Sequence, residues 1–395
     1  MAIINLEGKI QHYDWGGKTF IPSIFGLQSN ETPCAEYWMG THPNGMSMIE
    51  NTGKSLEQYI AEHPEKSLGQ ATAKDFNNKL PFLFKVLDVA SMLSIQVHPT
   101  KEAAIKGFAA ENKAGIPLNA TNRNFKDDNH KPEIMVALSE FWLLHGFRSP
   151  FQIAKILKSK TAFHPLLAQF KERDTRKLYQ FIMEMPQDEV NALLQPLFET
   201  LQKQQPKDKS NPDYWACQAF EQYTRAGQYD RGIFSIYLLN LVKIEKGGAI
   251  FQGAGIPHAY LEGQNMELMA NSDNVFRGGL TPKYIDVAML INHTSFETVK
   301  PKILKGRKSK FENSYKTACK DFELASIELK NKETFRMKNI SGPSILFVLS
   351  GNGTVGTGNS KIEYKKGTTL FVDCGEVVKI EATGNSQIFR AGMPK

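Results

Sequence analysis

The stretch LSIQVHPTKEAA, Leu93 to Ala104, decides how this chain is read. It has the character of a buried β-strand. The twofold alternation of a strand puts Ser94, Gln96 and His98 on one face and Ile95 and Val97 on the other. One face is apolar; the other carries a hydroxyl, an amide and an imidazole. Gln96 and His98 are therefore candidate metal ligands, and a metal site needs further donors from elsewhere. Two stretches offer them. In NHKPEIMVAL (129–138), Glu133 opens an apolar run, where an unpaired carboxylate is costly to bury. In GAGIPHAYLEG (253–263), His258 follows Gly253, Gly255 and Pro257 at a strand–turn boundary; glycine lets backbone approach a ligand closely and proline stiffens the turn. One amide oxygen, two imidazoles and a carboxylate suit zinc, with manganese or iron as substitutes. Each residue also has an ordinary reading. A single strand histidine is more often a hydrogen-bonded core residue than a ligand, amides are rare on zinc, and Glu133 has Lys131 at hand for a salt bridge.

The 395 residues are 41% hydrophobic and 23% charged, with a net charge of +7. This is an ordinary globular balance with room for two or three domains. No long Lys/Arg run accompanies the modest positive charge, which argues against nucleic acid and suits anionic small molecules. The opening MAIINLEGKIQHYDWGG lacks the basic and apolar segments of a secretory signal, and no apolar run approaches the ~20 residues of a membrane span. Cys34, Cys217, Cys319 and Cys374 lie far apart without CxxC spacing. Neither a zinc ribbon nor a disulfide framework is expected, and a reducing cytoplasm is.

Residues 1–148 are mainly strand-like, with the apolar runs LPFLFKVLDV, MLSIQV and EIMVALSEFWLLHGF. At Ser149 the pattern turns helical, with Ser149 placed to cap and Pro150 at the first helical position. Val190, Leu193, Leu194, Leu197 and Leu201 repeat on one helical face, with Pro196 a possible kink. Residues 149–232 thus read as a helical insertion. Strand character returns in LVKIEKGGAIFQGAGIPHAYLEG, with a turn at Lys246–Gly247–Gly248; TPKYIDVAML reads as a helix capped by Thr281 with Pro282 first. From about 300 on, short strands dominate and no histidine occurs, the last being His293. The expectation is a mainly β protein with three parts: a site-bearing β unit (1–148 and 233–300), an all-α insertion (149–232) and a smaller β unit (301–395).

At the candidate ligands the sequence resembles the type I phosphomannose isomerases, a family within the cupins. The matching stretches are YDWGG (13–17), AEYWMGTHPNG (35–45), LPFLFKVLDVASMLSIQVHP (80–99), HKPEIMVAL (130–138), IPHAYLEG (256–263) and NSDNVFRGGLTPKYIDV (271–287), in family order. Asp88 and Met92 depart from the commoner wording without touching a candidate ligand. The resemblance implies a cupin-type β-barrel or jelly roll in the first unit and a second cupin-like barrel at the carboxy terminus. It implies one zinc ion held by Gln96, His98, Glu133 and His258, and interconversion of D-mannose 6-phosphate and D-fructose 6-phosphate through an enediol. It places the family's catalytic arginine on Arg277 and puts Lys85, Ser94, Lys131, Tyr260, Glu267, Asp273 and Lys283 in or near the sugar-phosphate pocket, with Trp15 at its edge. A cytoplasmic monomer in carbohydrate metabolism follows, with a small sugar phosphate as substrate and neither nucleic acid nor membrane as partner.

Such a reaction needs a polarised carbonyl, a fixed cation for the enediolate and a base for the proton. Lys131, Glu267 and Asp273 are all candidates for the base. Ser94, Lys85, Arg277 and Lys283 offer groups to a phosphate. Arg277 has an ordinary alternative, an ion pair with Asp273 four residues earlier. The rival readings are another cupin enzyme, a dioxygenase or an epimerase, and a non-catalytic sugar-phosphate-binding cupin. Gln96 in a place where dioxygenases favour histidine argues against the first. The presence of all four donors and the arginine argues against the second.

Overall fold

The computed structural model describes residues 3–28, 31–337, 342–358 and 360–394. Among these, strands form sheets of ten, eight and four, amid many helices. The ten-stranded assembly carries the candidate site and has two walls. The first runs Ala249–Gln252, Glu133–Ala137, His258–Ala270, Phe82–Val89, Glu36–Met39 and Lys9–Gln11. The second joins Phe276–Arg277, Gln96–Val97, the start of His258–Ala270, Phe141–Phe147 and Leu239–Ile244. One long strand therefore serves both walls. It changes sides at an irregularity between Tyr260 and Glu262, followed by Gly263 at φ +125°. A β-carbon on Gly263 would stand 2.6 Å from the Glu140 carbonyl, so the turn excludes any side chain.

Alternation decides what each wall buries. Leu87, Val89, Met135, Ala137 and Ile250 face inward and meet Phe141, Leu143, Val242, Ile244 and Tyr260 from the other wall. The outer face of the first wall, with Tyr37, Phe84, Val86, Ile134, Met266 and Leu268, packs on Tyr315, Leu324, Ile345, Phe347 and Phe371 of the carboxy-terminal sheet. Burial on both faces explains the run FLFKVLDV, apolar at every position but Lys85 and Asp88. The two edge strands, Lys9–Gln11 and Ala249–Gln252, do not pair with each other, so the described strands make open sheets and not the closed barrel expected.

Helices follow from Pro150, where Ser149 and Gln152 form a capping box. Gln187–Gln204 is one helix through Pro196, burying Val190, Leu194, Leu197 and Leu201, with Leu193 half-buried beside them. The same core takes Ile95 and Val97, the apolar face of the opening stretch. The helix expected from Thr281 starts later, as Val287–His293 capped by Asp286. Thr281 Oγ1 instead accepts from the Lys283 amide at 3.1 Å, and Leu280 sits at φ +52°. A local threonine turn has won over the helix signal of Pro282.

The eight-stranded sheet draws mainly on residues beyond 306, yet Ile3–Glu7 lies within it, between Thr369–Val372 and Met48–Ile49. Buried in this sheet, Arg390 pairs with Glu312 at 3.0 Å and Glu323 at 2.9 Å. Arg390→Ala leaves Glu323 buried and unpaired; a loss of about 3–5 kcal/mol in urea-denaturation stability is expected.

Candidate metal centre

His98, Glu133 and His258 are buried and bring one ligand atom each within 4.8 Å of one another. His98 Nε2 stands 3.4 Å from Glu133 Oε1, and His258 Nε2 stands 3.3 Å from Oε2. The other ring nitrogens are tied to backbone: His98 Nδ1 lies 2.8 Å from the Asn274 carbonyl and His258 Nδ1 lies 2.9 Å from that of Ile256. A carbonyl can only accept, so the network places a proton on each Nδ1, and a neutral ring then has its lone pair on Nε2. With neutral rings, both Nε2 atoms face the carboxylate acceptor against acceptor. Burial pushes the His98 pKa down to about 4, which disfavours relief by an added proton. A cation between the three groups relieves it. The backbone carbonyls behind the rings are what metal-binding histidines require.

Gln96 lines the same cavity as Glu133 and His258. Lateral pairing sets Arg277, Gln96, His258 and His145 in one row across the second wall, and directly paired residues share a face. From the first wall, Lys85 Nζ lies 3.2 Å from Glu36 Oε2, 3.4 Å from Glu267 Oε2 and 4.7 Å from the Trp38 ring centre. Tyr260 donates to Glu267 Oε1 at 2.8 Å, and Lys131 Nζ stands 3.1 Å from Glu133 Oε1. Glu36, Glu133 and Glu267 against Lys85 and Lys131 leave one uncompensated negative charge in this lining, a further reason for a cation. Burial would raise the Glu133 pKa, but the charge of Lys131 beside it pulls the other way and holds the carboxylate ionised. Burial and the charge of Glu133 raise the pKa of Glu267, against the pull of Lys85. Burial would lower the pKa of Lys85; Glu36 and Glu267 overcome it and keep the ammonium charged.

Arg277 is half-buried, its pKa lowered by burial, and makes no ion pair among the described residues. The pairing with Asp273 weighed from sequence is not formed. Asp273 instead faces His42 Nε2 at 3.2 Å and accepts from Asn44 Nδ2, an exposed residue that does not line the cavity. Lys283 is exposed, its pKa lowered by partial desolvation and then by the charge of Arg277. Ser94 is half-buried. Trp15 packs with Leu93 on the inner cluster and stacks on Tyr13 at 5.8 Å.

Sequence reasoning passed over Glu36, although a carboxylate heading an apolar strand was the signal that singled out Glu133. It also passed over Gln252, fully buried, in register with Glu133 and with neither amide atom partnered among the described residues.

Residues 3–150 match the family described as phosphomannose isomerase type I, catalytic domain. The chain is 37% identical to the mannose-6-phosphate isomerase of Escherichia coli (strain K12), over 94% of this chain and 95% of that protein. This chain belongs to the mannose-6-phosphate isomerase family. It is 34% identical to the family member of Mus musculus over 98% of each chain. The crystal structure of the Salmonella typhimurium enzyme bound to fructose 6-phosphate and zinc matches it with a TM-score of 0.88 at 35% identity, over the whole of both chains. Membership makes the chain an isomerase.

His258→Ala removes one of the two opposed lone pairs; elemental analysis of the purified variant is expected to find no retained metal.

Proposed function

We propose that this chain holds one zinc ion through Gln96, His98, Glu133 and His258 and interconverts D-mannose 6-phosphate and D-fructose 6-phosphate, moving a proton between C2 and C1 through an enediol. The observation that carries this reading is the pair of imidazole lone pairs held against the Glu133 carboxylate. When bound, the metal supplies Lewis acidity to the sugar's oxygens. The remaining tasks fall to side chains. Arg277, paired with Gln96 across the second wall and free of a carboxylate among the described residues, is suited to the negative charge of the enediolate. Glu267 is the best-equipped proton carrier of the three candidates. It faces the cavity, its raised pKa strengthens it as a base, and Tyr260 fixes its orientation. Lys131 is engaged by Glu133, and Asp273 by His42 at the rim. Lys85 is held between two carboxylates, which leaves Arg277, Lys283 and Ser94 for the phosphate. Trp15 closes the edge.

In the same reading the two-walled unit is cupin-type, interrupted by the insertion at 149–232 and followed by a second cupin-like unit at 301–395, to which Ile3–Glu7 lends a strand. A cytoplasmic monomer without nucleic-acid or membrane partners completes it. No helix among the described residues is long and apolar enough to cross a membrane.

A coupled assay tests the proposal directly. Mannose 6-phosphate is expected to turn over, glucose 6-phosphate not, and a chelator is expected to abolish turnover until zinc is restored. Chelator-insensitive turnover removes the metal from the reading. Arg277→Ala is expected to keep zinc but lose about 10²–10³-fold in kcat, the cost of one preorganised charge-stabilising group. Glu267→Gln is expected to lose about 10²–10⁴-fold in kcat with zinc content unchanged. Near-normal turnover in either variant withdraws that residue's role.

A further inference from the structure

We infer that Asp230, in the helical insertion, is a positioning residue for the isomerase site: its carboxylate holds the turn through which Arg277 and Lys283 reach the sugar phosphate. The inference rests on the roles proposed above for those two cations. Asp230 Oδ1 accepts from the amides of Gly232 and Leu280, each at 2.7 Å, and Oδ2 accepts from Thr281 at 3.1 Å. A carboxylate taking three amides makes strong, directional, charge-assisted bonds. Two of the three donors lie in the segment between Arg277 and Lys283.

That segment needs holding. Leu280 has φ +52° and Gly279 has φ +112°. A leucine in the left-handed region is unfavourable and persists only where its surroundings impose it. The same turn packs backbone on backbone against the insertion. A β-carbon on Gly279 would lie 2.4 Å from the Gly232 α-carbon, and one on Gly232 would lie 2.5 Å from the Leu280 nitrogen. On the other side, the Gly278 amide donates to the Ile95 carbonyl at 2.9 Å and Ile95 donates to Gly279 at 3.0 Å, which fixes Arg277 opposite Gln96. The segment is thus clamped between the strand that carries Gln96 and a carboxylate from the insertion. Thr281, once held, folds its hydroxyl onto the Lys283 amide at 3.1 Å and sets the exit direction of the lysine. The metal donors His98, Glu133 and His258 take no part in this clamp.

The test uses the full-length, zinc-loaded protein. In Asp230→Asn, one oxygen keeps two amides while the new NH₂ confronts the Thr281 N–H. Zinc content is expected to stay at one per chain, and kcat/KM for mannose 6-phosphate to fall about 10–100-fold, the scale of a misplacement near 1 Å. Competitive inhibition by inorganic phosphate is expected to weaken in step with the rise in KM. Gly279→Ala attacks the seam from the other side and is expected to give the same pattern, which keeps the test open should one variant not fold. A structural role alone would lower the melting temperature and leave kcat/KM and phosphate inhibition of the zinc-loaded fraction unchanged; that result overturns the inference. Arg277→Ala is measured alongside. If it is silent, the site reading fails and this inference with it. If it is severe while Asp230→Asn is silent, only the inference fails.

Discussion

The contact on which the rest of the structure depends is a crowded one: two imidazoles, each with Nδ1 tied to a backbone carbonyl, turn their Nε2 atoms onto one buried carboxylate. Folding alone does not reward that arrangement, because burying acceptors against an acceptor gains nothing and loses hydration. The surroundings enforce it. Asn274 and Ile256 carbonyls hold the Nδ1 protons, burial discourages protonation of His98, and Lys131, 3.1 Å from the same Glu133 oxygen that His98 faces, holds the carboxylate ionised. The protein invests in a site whose compensation comes from a divalent cation, which is how binding energy for a metal is stored in a fold.

Around that contact, two walls divide the work. The second wall supplies Gln96, His258 and Arg277 in one lateral row, and the first supplies Glu133, Glu267 and Lys85. The division is possible because one strand belongs to both, turning at Gly263. His258 and Glu267 are nine residues apart on that strand, on opposite sides of the turn. The proposed metal donor and the proposed proton carrier are thus set by one continuous stretch of backbone, whose register is pinned by pairing to Phe82–Val89 along eight residues.

Much of this was legible before any coordinates. Alternation singled out Gln96 and His98, although only Gln96–Val97 is strand and Leu93, not Ser94, lines the cavity; a carboxylate in an apolar run exposed Glu133, and capping chemistry placed the helix at Ser149. What was not legible depends on contacts distant in sequence. Glu36 looks like the start of any short strand until Lys85 is seen beside it. The helix expected from Thr281 forms only from Val287, and the Thr281 and Lys283 amides are held instead by Asp230, distant in sequence, and by the threonine's own hydroxyl. Open walls replaced the closed barrel because closure depends on whether edge strands meet, and no local pattern encodes that.

The position of Ile3–Glu7 has a consequence for how the chain is made. These residues are synthesised more than 360 positions before their partner Thr369–Val372. At ordinary synthesis rates the early strand waits on the order of 20–70 s for its neighbour. During that interval the edge that meets Thr369–Val372 has no native counterpart, and the cluster around Ile4 and Leu6 lacks the side chains that Tyr315, Leu324, Ile345, Phe347 and Phe371 later supply. Such long-range pairing also makes the final closure slow. The nascent chain therefore carries an unpaired strand edge until the carboxy-terminal sheet is made, whereas the two walls around the candidate site have all their strands once Arg277 has been added.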